Sequence, residues 1–204
     1  MDDERSNYYI SFDQLSRIIY LVASYFLSRL INENDWVFDD VHKCIYSNLL
    51  KKYNFKHAFF LKNSYFFTPQ ELIKASSKNY STYQLTQIHS NKIIICDKSI
   101  CYPWPKGDGI ISLLKEKQSL WIYTADCIPI LFADKSTGQV AAIHAGWRGI
   151  SKRIIENALN EFKKNGSNIK NIIVALGPAI SCNKYQVDSS TIKRIGHSII
   201  NSNS

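Results

Sequence analysis

Between residues 120 and 176 the chain alternates apolar runs with short polar breaks in a way that admits few folds. Leu120–Thr124, Ile128–Ala133 and Gln139–His144 read as three successive strands, with Asp134-Lys-Ser-Thr-Gly138 turning the second into the third. A helix to about Asn165 follows, with Ile150, Ile154, Ile155, Ala158, Leu159 and Phe162 on one face and Gly166 as its stop. The strand Asn171–Leu176 comes next. This order predicts an α/β fold: a single-domain mixed sheet layered with helices.

Upstream, His57–Leu61 reads as a strand, Pro69–Ala75 as a short helix and Asn91–Cys96 as a strand carrying a β-branched run. The Pro- and Gly-rich stretch from Tyr102 to Gly109 is expected to be a loop beside the site. Over residues 1 to about 50, Leu15, Ile18, Ile19, Val22, Phe26 and Leu30 recur at helical intervals. The expected division is therefore a helical N-terminal addition over 1–55 and an α/β domain over 56–204. The apolar run Ile18–Ile31 is too short and too interrupted to span a bilayer.

The hairpin also sets out a chemistry. Cys127 lies at the break before one apolar strand and His144 at the end of the next, while Gln87-Ile-His89 closes another extended segment. One thiol and two imidazoles can therefore converge on a point. Zinc takes such ligands, and a three-ligand set leaves a fourth position for water, which the ion acidifies toward neutral pH. On composition alone packing is the commoner role for such residues, since cysteine is among the most buried residue types and a histidine flanked by Ile and Ala often sits satisfied in a core. Arg148, between two glycines at the expected helix start, suits an anion pocket or an exposed surface. Asp126 could orient a ligand, move a proton or cap a turn; Gln87 is a second candidate for proton transfer, and Trp147 could stack or pack.

The five cysteines form an odd set without CxxC spacing, and the acidic start Met1-Asp-Asp-Glu-Arg does not resemble a signal or transit peptide. A reduced, cytoplasmic setting is expected. The formal charge of +8 comes mostly from dispersed lysines, which gives little sign of a specific nucleic-acid partner but helps to attract an anionic substrate.

In order along the chain, Gln87-Ile-His89, Asp108-Gly109, Ala125-Asp-Cys-Ile-Pro-Ile130, His144-Ala-Gly-Trp-Arg-Gly149 and Leu176-Gly-Pro-Ala-Ile-Ser181 with Tyr185-Gln-Val187 resemble the motifs of the YfiH/laccase-domain family. The resemblance spans roughly residues 56 to 195. It implies zinc held by His89, Cys127 and His144, with copper as the alternative metal. It also implies phosphorolysis of adenosine, inosine and S-methyl-5′-thioadenosine, with adenosine deamination as a further activity and a purine nucleoside and phosphate as partners. Asp126, Arg148 and Gln87 are the catalytic candidates beside the metal.

Two other functions described for the family stand as alternatives: copper polyphenol oxidation and a peptidoglycan-editing or non-catalytic binding role. The chain departs from the family at His57-Ala-Phe-Phe-Leu-Lys62, which lacks the usual Arg and glycines, and at Gln186, where Glu is frequent. It is expected to lack the family's C-terminal segment. Five histidines without a His-x-His pair fit a multicopper centre poorly.

Overall fold

The computed structural model describes residues 35–62, 67–76, 80–97, 99–113, 117–181 and 184–200. The helical face expected at Leu15–Leu30 lies outside these residues. The core is a five-stranded sheet built from β5 (Ile93–Cys96), β6 (Gly109–Ser112), β8 (Ile128–Asp134), β9 (Val140–Ala145) and β10 (Ile172–Leu176), in the order β10-β8-β9-β6-β5. All neighbours run antiparallel except β5 and β6. The expected mixed sheet layered with helices is therefore present.

Both faces of this sheet are covered, and the strand period of two assigns side chains to each. Ile130, Phe132, Ala141, Ile143 and Ile172 meet one helix face, Ile154, Ala158 and Phe162 of α4 (Ile154–Lys164). The intervening residues Ala133, Ile173 and Ala175 point the other way, onto Leu50 and Phe59. Farther along that second face, Ile110 and Ala142 pack with Tyr83 and Leu85. Continuous apolar strands follow from a sheet buried on both sides.

Leu50 belongs to α1 (Asn48–Lys52), which the Ser47 side chain caps, and Phe59 to β3 (Phe59–Phe60). With β1 (Trp36–Asp39) and β2 (Cys44–Ser47), β3 forms a small antiparallel sheet. Residues 36–47, within the segment expected to be helical, are therefore a hairpin. Their aromatic and β-branched residues favour strands, and the helical periodicity is carried by positions farther upstream. The small sheet also includes residues on both sides of the expected boundary at 55/56. Phe59 presses its ring onto Gly177, where an added Cβ would lie 2.2 Å from the ring, so the small sheet and the end of β10 fit without a side chain between them.

The remaining expectations hold with local changes. Helix α2 (Pro69–Ser76) starts with Pro69 and a reciprocal cap, in which the Thr68 amide donates to Glu71 Oε2 at 2.7 Å and the Glu71 amide donates to Thr68 Oγ1 at 3.3 Å. The strand expected over Leu120–Thr124 is displaced to β7 (Gln118–Leu120), which pairs in parallel with β4 (Ser81–Tyr83). The helix expected to run to Asn165 is broken. A short α3 (Trp147–Ser151) has Lys152 as its C-cap, Arg153 takes a left-handed conformation with φ of 64°, and α4 begins at Ile154. Helix α5 (Ser189–Ile200) packs against α3. No described helix is long and apolar enough to cross a membrane.

Candidate metal centre

The β8–β9 hairpin places Cys127 beside the end of β9, because antiparallel register sets Ile128 opposite Ala145 and Pro129 opposite His144. His89 arrives from the segment between β4 and β5. One donor atom from each of His89, Cys127 and His144 lies within 4.8 Å of the others, and among the described residues this is the one such grouping that could hold a metal ion. The two imidazoles meet edge to face, with centroids 4.8 Å apart and planes at 81°. His144 is buried, Cys127 is half-buried and His89 is exposed, so the cluster opens to solvent on one side.

The donor chemistry fits a metal. Two imidazoles and a thiol are a borderline-soft set with room for a fourth ligand. Donors bound to one ion through bonds of ~2.0–2.3 Å lie roughly 3.5 Å apart, so closure on an ion needs only about an ångström of side-chain adjustment. Gly146 leaves the space, since a Cβ there would stand 3.0 Å from Cys127 Sγ and 3.4 Å from His89 Cδ2. Burial pushes the Cys127 thiol above its ordinary range; Asp126 and Asp108 add to this and Arg148 opposes it. A cation at the cluster would reverse that balance by favouring the thiolate.

Behind the cluster lies Asp108, fully buried immediately before β6. Its Oδ1 accepts the His89 amide at 2.9 Å and stands 2.9 Å from His144 Nδ1; its Oδ2 accepts the Ile88 amide at 3.3 Å, the Ser90 amide at 2.6 Å and the Ser90 hydroxyl at 2.7 Å. Its carbonyl also accepts the His144 amide at 2.7 Å. Burial raises the carboxyl pKa, but the His144 and Ser90 hydrogen bonds outweigh it and hold the group below its ordinary value. His89 takes a positive φ of 55° within this turn.

The other expected residues divide. Arg148 is exposed in α3, with its guanidinium 4.4 Å from the centroid of the Trp147 ring. Asp126 is exposed beside Cys127, and its carbonyl accepts the Ile180 amide at 3.1 Å. Gln87 is committed to backbone: its Nε2 donates to Tyr123 O at 2.8 Å, and its Oε1 accepts the Tyr123 amide at 2.7 Å. The amide thus ties the approach to His89 to the segment before Cys127. The expected loop does run beside the site, pairing Lys106 with Thr86, although its last residues, Asp108 and Gly109, are buried where β6 begins.

Residue type alone assigns no role to Asp108, Ser90 or Tyr185. Burial raises the Tyr185 pKa, with Cys127 and Asp126 adding to the rise and Arg148 opposing it. Asp108 and Tyr185 each stand inside a recognisable motif, and that is the available signal. Helix α3 closes the site from behind: a Cβ on Gly149 would meet the Ser90 carbonyl at 2.9 Å. The Asn91 side chain donates to Lys152 O at 2.6 Å, and that of Asn157 donates to Asn91 O at 3.0 Å, fastening the His89 turn to the break between α3 and α4.

Comparison with known proteins agrees with this architecture. A purine nucleoside phosphorylase of Synechocystis sp. is 36% identical over 149 residues, covering 70% of this chain and 56% of that protein. One from Rickettsia prowazekii is 32% identical over 160 residues, covering 75% and 65%. The chain thus spans between about half and two thirds of the length of these relatives. An adenosine deaminase from an unknown prokaryotic organism is 34% identical over 88 residues, or 42% of this chain and 34% of that protein. Among solved structures, YlmD from Geobacillus stearothermophilus matches with a TM-score of 0.53 at 29% identity over 55% of this chain and 45% of its own. YfiH from Bacillus licheniformis matches with 0.53 at 26% over 62% and 54%. The family model described as multi-copper polyphenol oxidoreductase laccase matches residues 69–203, and the chain belongs to that laccase-like, YfiH-containing family.

Proposed function

We propose that this protein is a zinc-dependent purine nucleoside phosphorylase acting on adenosine, inosine and S-methyl-5′-thioadenosine, with adenosine deamination as a second activity. The observation that carries the reading is the convergence of His89, Cys127 and His144 in a chain whose relatives are named for these reactions. When bound, zinc supplies Lewis acidity and an acidified water.

The chain's own residues supply the rest. His89, Cys127 and His144 would hold the ion, with the exposed His89 on the solvent side. Arg148, stacked on Trp147 at the rim, offers a delocalised cation with several N–H donors to phosphate. Phosphorolysis needs that phosphate placed against the ribose anomeric carbon, so Arg148 acts by positioning and charge. Asp126, exposed and next to Cys127 in the chain, is the group we assign to proton exchange with the substrate or with water. Gln87 contributes by holding the Tyr123 segment rather than by proton transfer.

The family description also raises copper. Outside the cluster, His42 bonds to Asp39, while His57 accepts the Ser47 amide and lies against the Phe55 carbonyl, so the described histidines support one three-ligand site. Incubating the zinc-loaded chain with adenosine in phosphate buffer tests the proposal. Free adenine with ribose 1-phosphate, lost in His144→Ala, is expected. Absence of both purine release and ammonia release from zinc-loaded wild-type protein would overturn the reading.

A further inference from the structure

Asp108 presents an unusual concentration of donors around one carboxylate. Three successive amides, of Ile88, His89 and Ser90, point at it, together with the Ser90 hydroxyl and His144 Nδ1. Amide N–H groups can only donate. Oδ1 accepts from His89, and Oδ2 accepts from Ile88 and from both the amide and the hydroxyl of Ser90, a ring of donors that favours the carboxylate, which has no proton to give. Opposite a carboxylate, His144 Nδ1 is the donor in its contact with Oδ1. A neutral imidazole with its proton on Nδ1 has its lone pair on Nε2.

We infer that Asp108 is the positioning residue of the metal centre, a single buried carboxylate that fixes the tautomer of His144 and the turn that presents His89. The two effects have separate geometric origins. The hydrogen bond to Nδ1 leaves His144 Nε2 as the donor atom for the cluster and holds the ring against rotation. The three amides can converge on one carboxylate only if the chain curls around it, and His89 adopts its left-handed φ of 55° in that curl. The strand pairing reinforces both, because the His144 amide donates to Asp108's carbonyl. Asp108 is not one of the three converging donors and acts through its partners.

Asn is nearly the same shape but cannot replace it. Its amide group would face donors whichever way it turned: the Ile88 and Ser90 amides on one side, or the His89 amide and His144 Nδ1–H on the other. The inference rests on the metal reading of the cluster, and the test separates the two. Zinc affinity is measured by competition with a chromophoric chelator for wild type, Asp108→Asn and Ser90→Ala, alongside long-range proton–nitrogen NMR of the His144 ring. Asp108→Asn is expected to weaken zinc binding by about 10- to 100-fold. Ser90→Ala, which keeps the His144 contact, is expected to lose less. Wild-type His144 is expected to carry its proton on Nδ1 and to bind zinc through Nε2.

Asp108→Asn with zinc affinity within about twofold of wild type, against the loss expected for a disturbed ligand partner, would overturn the inference while leaving the metal reading intact. If Asp108→Asn does not fold, the wild-type spectrum decides: zinc on His144 Nδ1 would overturn the inference, and zinc on Nε2 with the proton on Nδ1 would support it. Wild-type protein with no zinc affinity would remove the metal reading and this inference with it.

Discussion

Gly146 and Cys127 approach so closely that a methyl group on Gly146 would stand 3.0 Å from Cys127 Sγ. The backbone of Gly146, with φ of −78° and ψ of 162°, is open to any residue, so its lack of a side chain is explained by space and not by conformation. Gly146→Ala should therefore fold and displace the sulfur. Zinc affinity is expected to fall about tenfold, the scale of losses seen when the surroundings of a ligand are disturbed. Calorimetric titration checks this; affinity equal to wild type would mean that Cys127 is not held as described.

Gly149 makes a different kind of contact. The atom facing it, at 2.9 Å, is the backbone carbonyl of Ser90, which cannot rotate away as a side chain would. Gly149→Ala should push α3 off the His89 turn and destabilise the fold by about 1–3 kcal/mol, as overpacking does elsewhere. Urea unfolding of the metal-free protein measures the change. Unaltered stability would show that α3 and the turn are not in firm contact.

At the far end of the hairpin, burial raises the Asp134 carboxyl pKa, but the nearby Ser167 hydroxyl and the Ser136 hydroxyl and amide, which both donate to Oδ1 at 2.7 Å, outweigh it and bring the value down to about 2. A folded pKa below the unfolded one contributes stability that is fully present above about pH 4 and is lost as pH falls toward about 2. The contribution is on the order of 2 kcal/mol. Asp134→Asn should flatten the dependence of unfolding free energy on pH between about 4 and 2, measured by denaturant titration across that range. An unchanged slope would remove Asp134 from this role.

Most of the five-stranded sheet is legible in the sequence because its strands are apolar runs bounded by turn residues, and α4 because Ile154, Ala158 and Phe162 recur at helical spacing. The break at Lys152–Arg153 is not. It depends on Asn91 capturing the Lys152 carbonyl from a distant segment, and a periodic pattern carries no trace of such a bond. Strand β6 is hidden because Gly109 makes its start read as part of the preceding loop. In the fold, that glycine admits Ile93 and Ile143, with their Cδ1 atoms 2.4 and 2.7 Å from where its Cβ would be.

The three converging donors can be read from residue types, although His89 stands in a turn between β4 and β5 and not at a strand end. Asp108 cannot be given its role in that way, since a carboxylate that binds amides from 18 to 20 residues away becomes visible only when the turn has closed around it. Gln87 shows the converse. Its residue type suggests chemistry, whereas both ends of its amide are committed to the Tyr123 backbone.

The most direct test of the central claim is the metal content of the purified protein by mass spectrometry, with Cys127→Ala measured beside wild type. About one zinc per chain in wild type, lost from the variant, is the predicted result. Zinc retained in full by Cys127→Ala, or no bound metal in wild type after zinc loading, would contradict it.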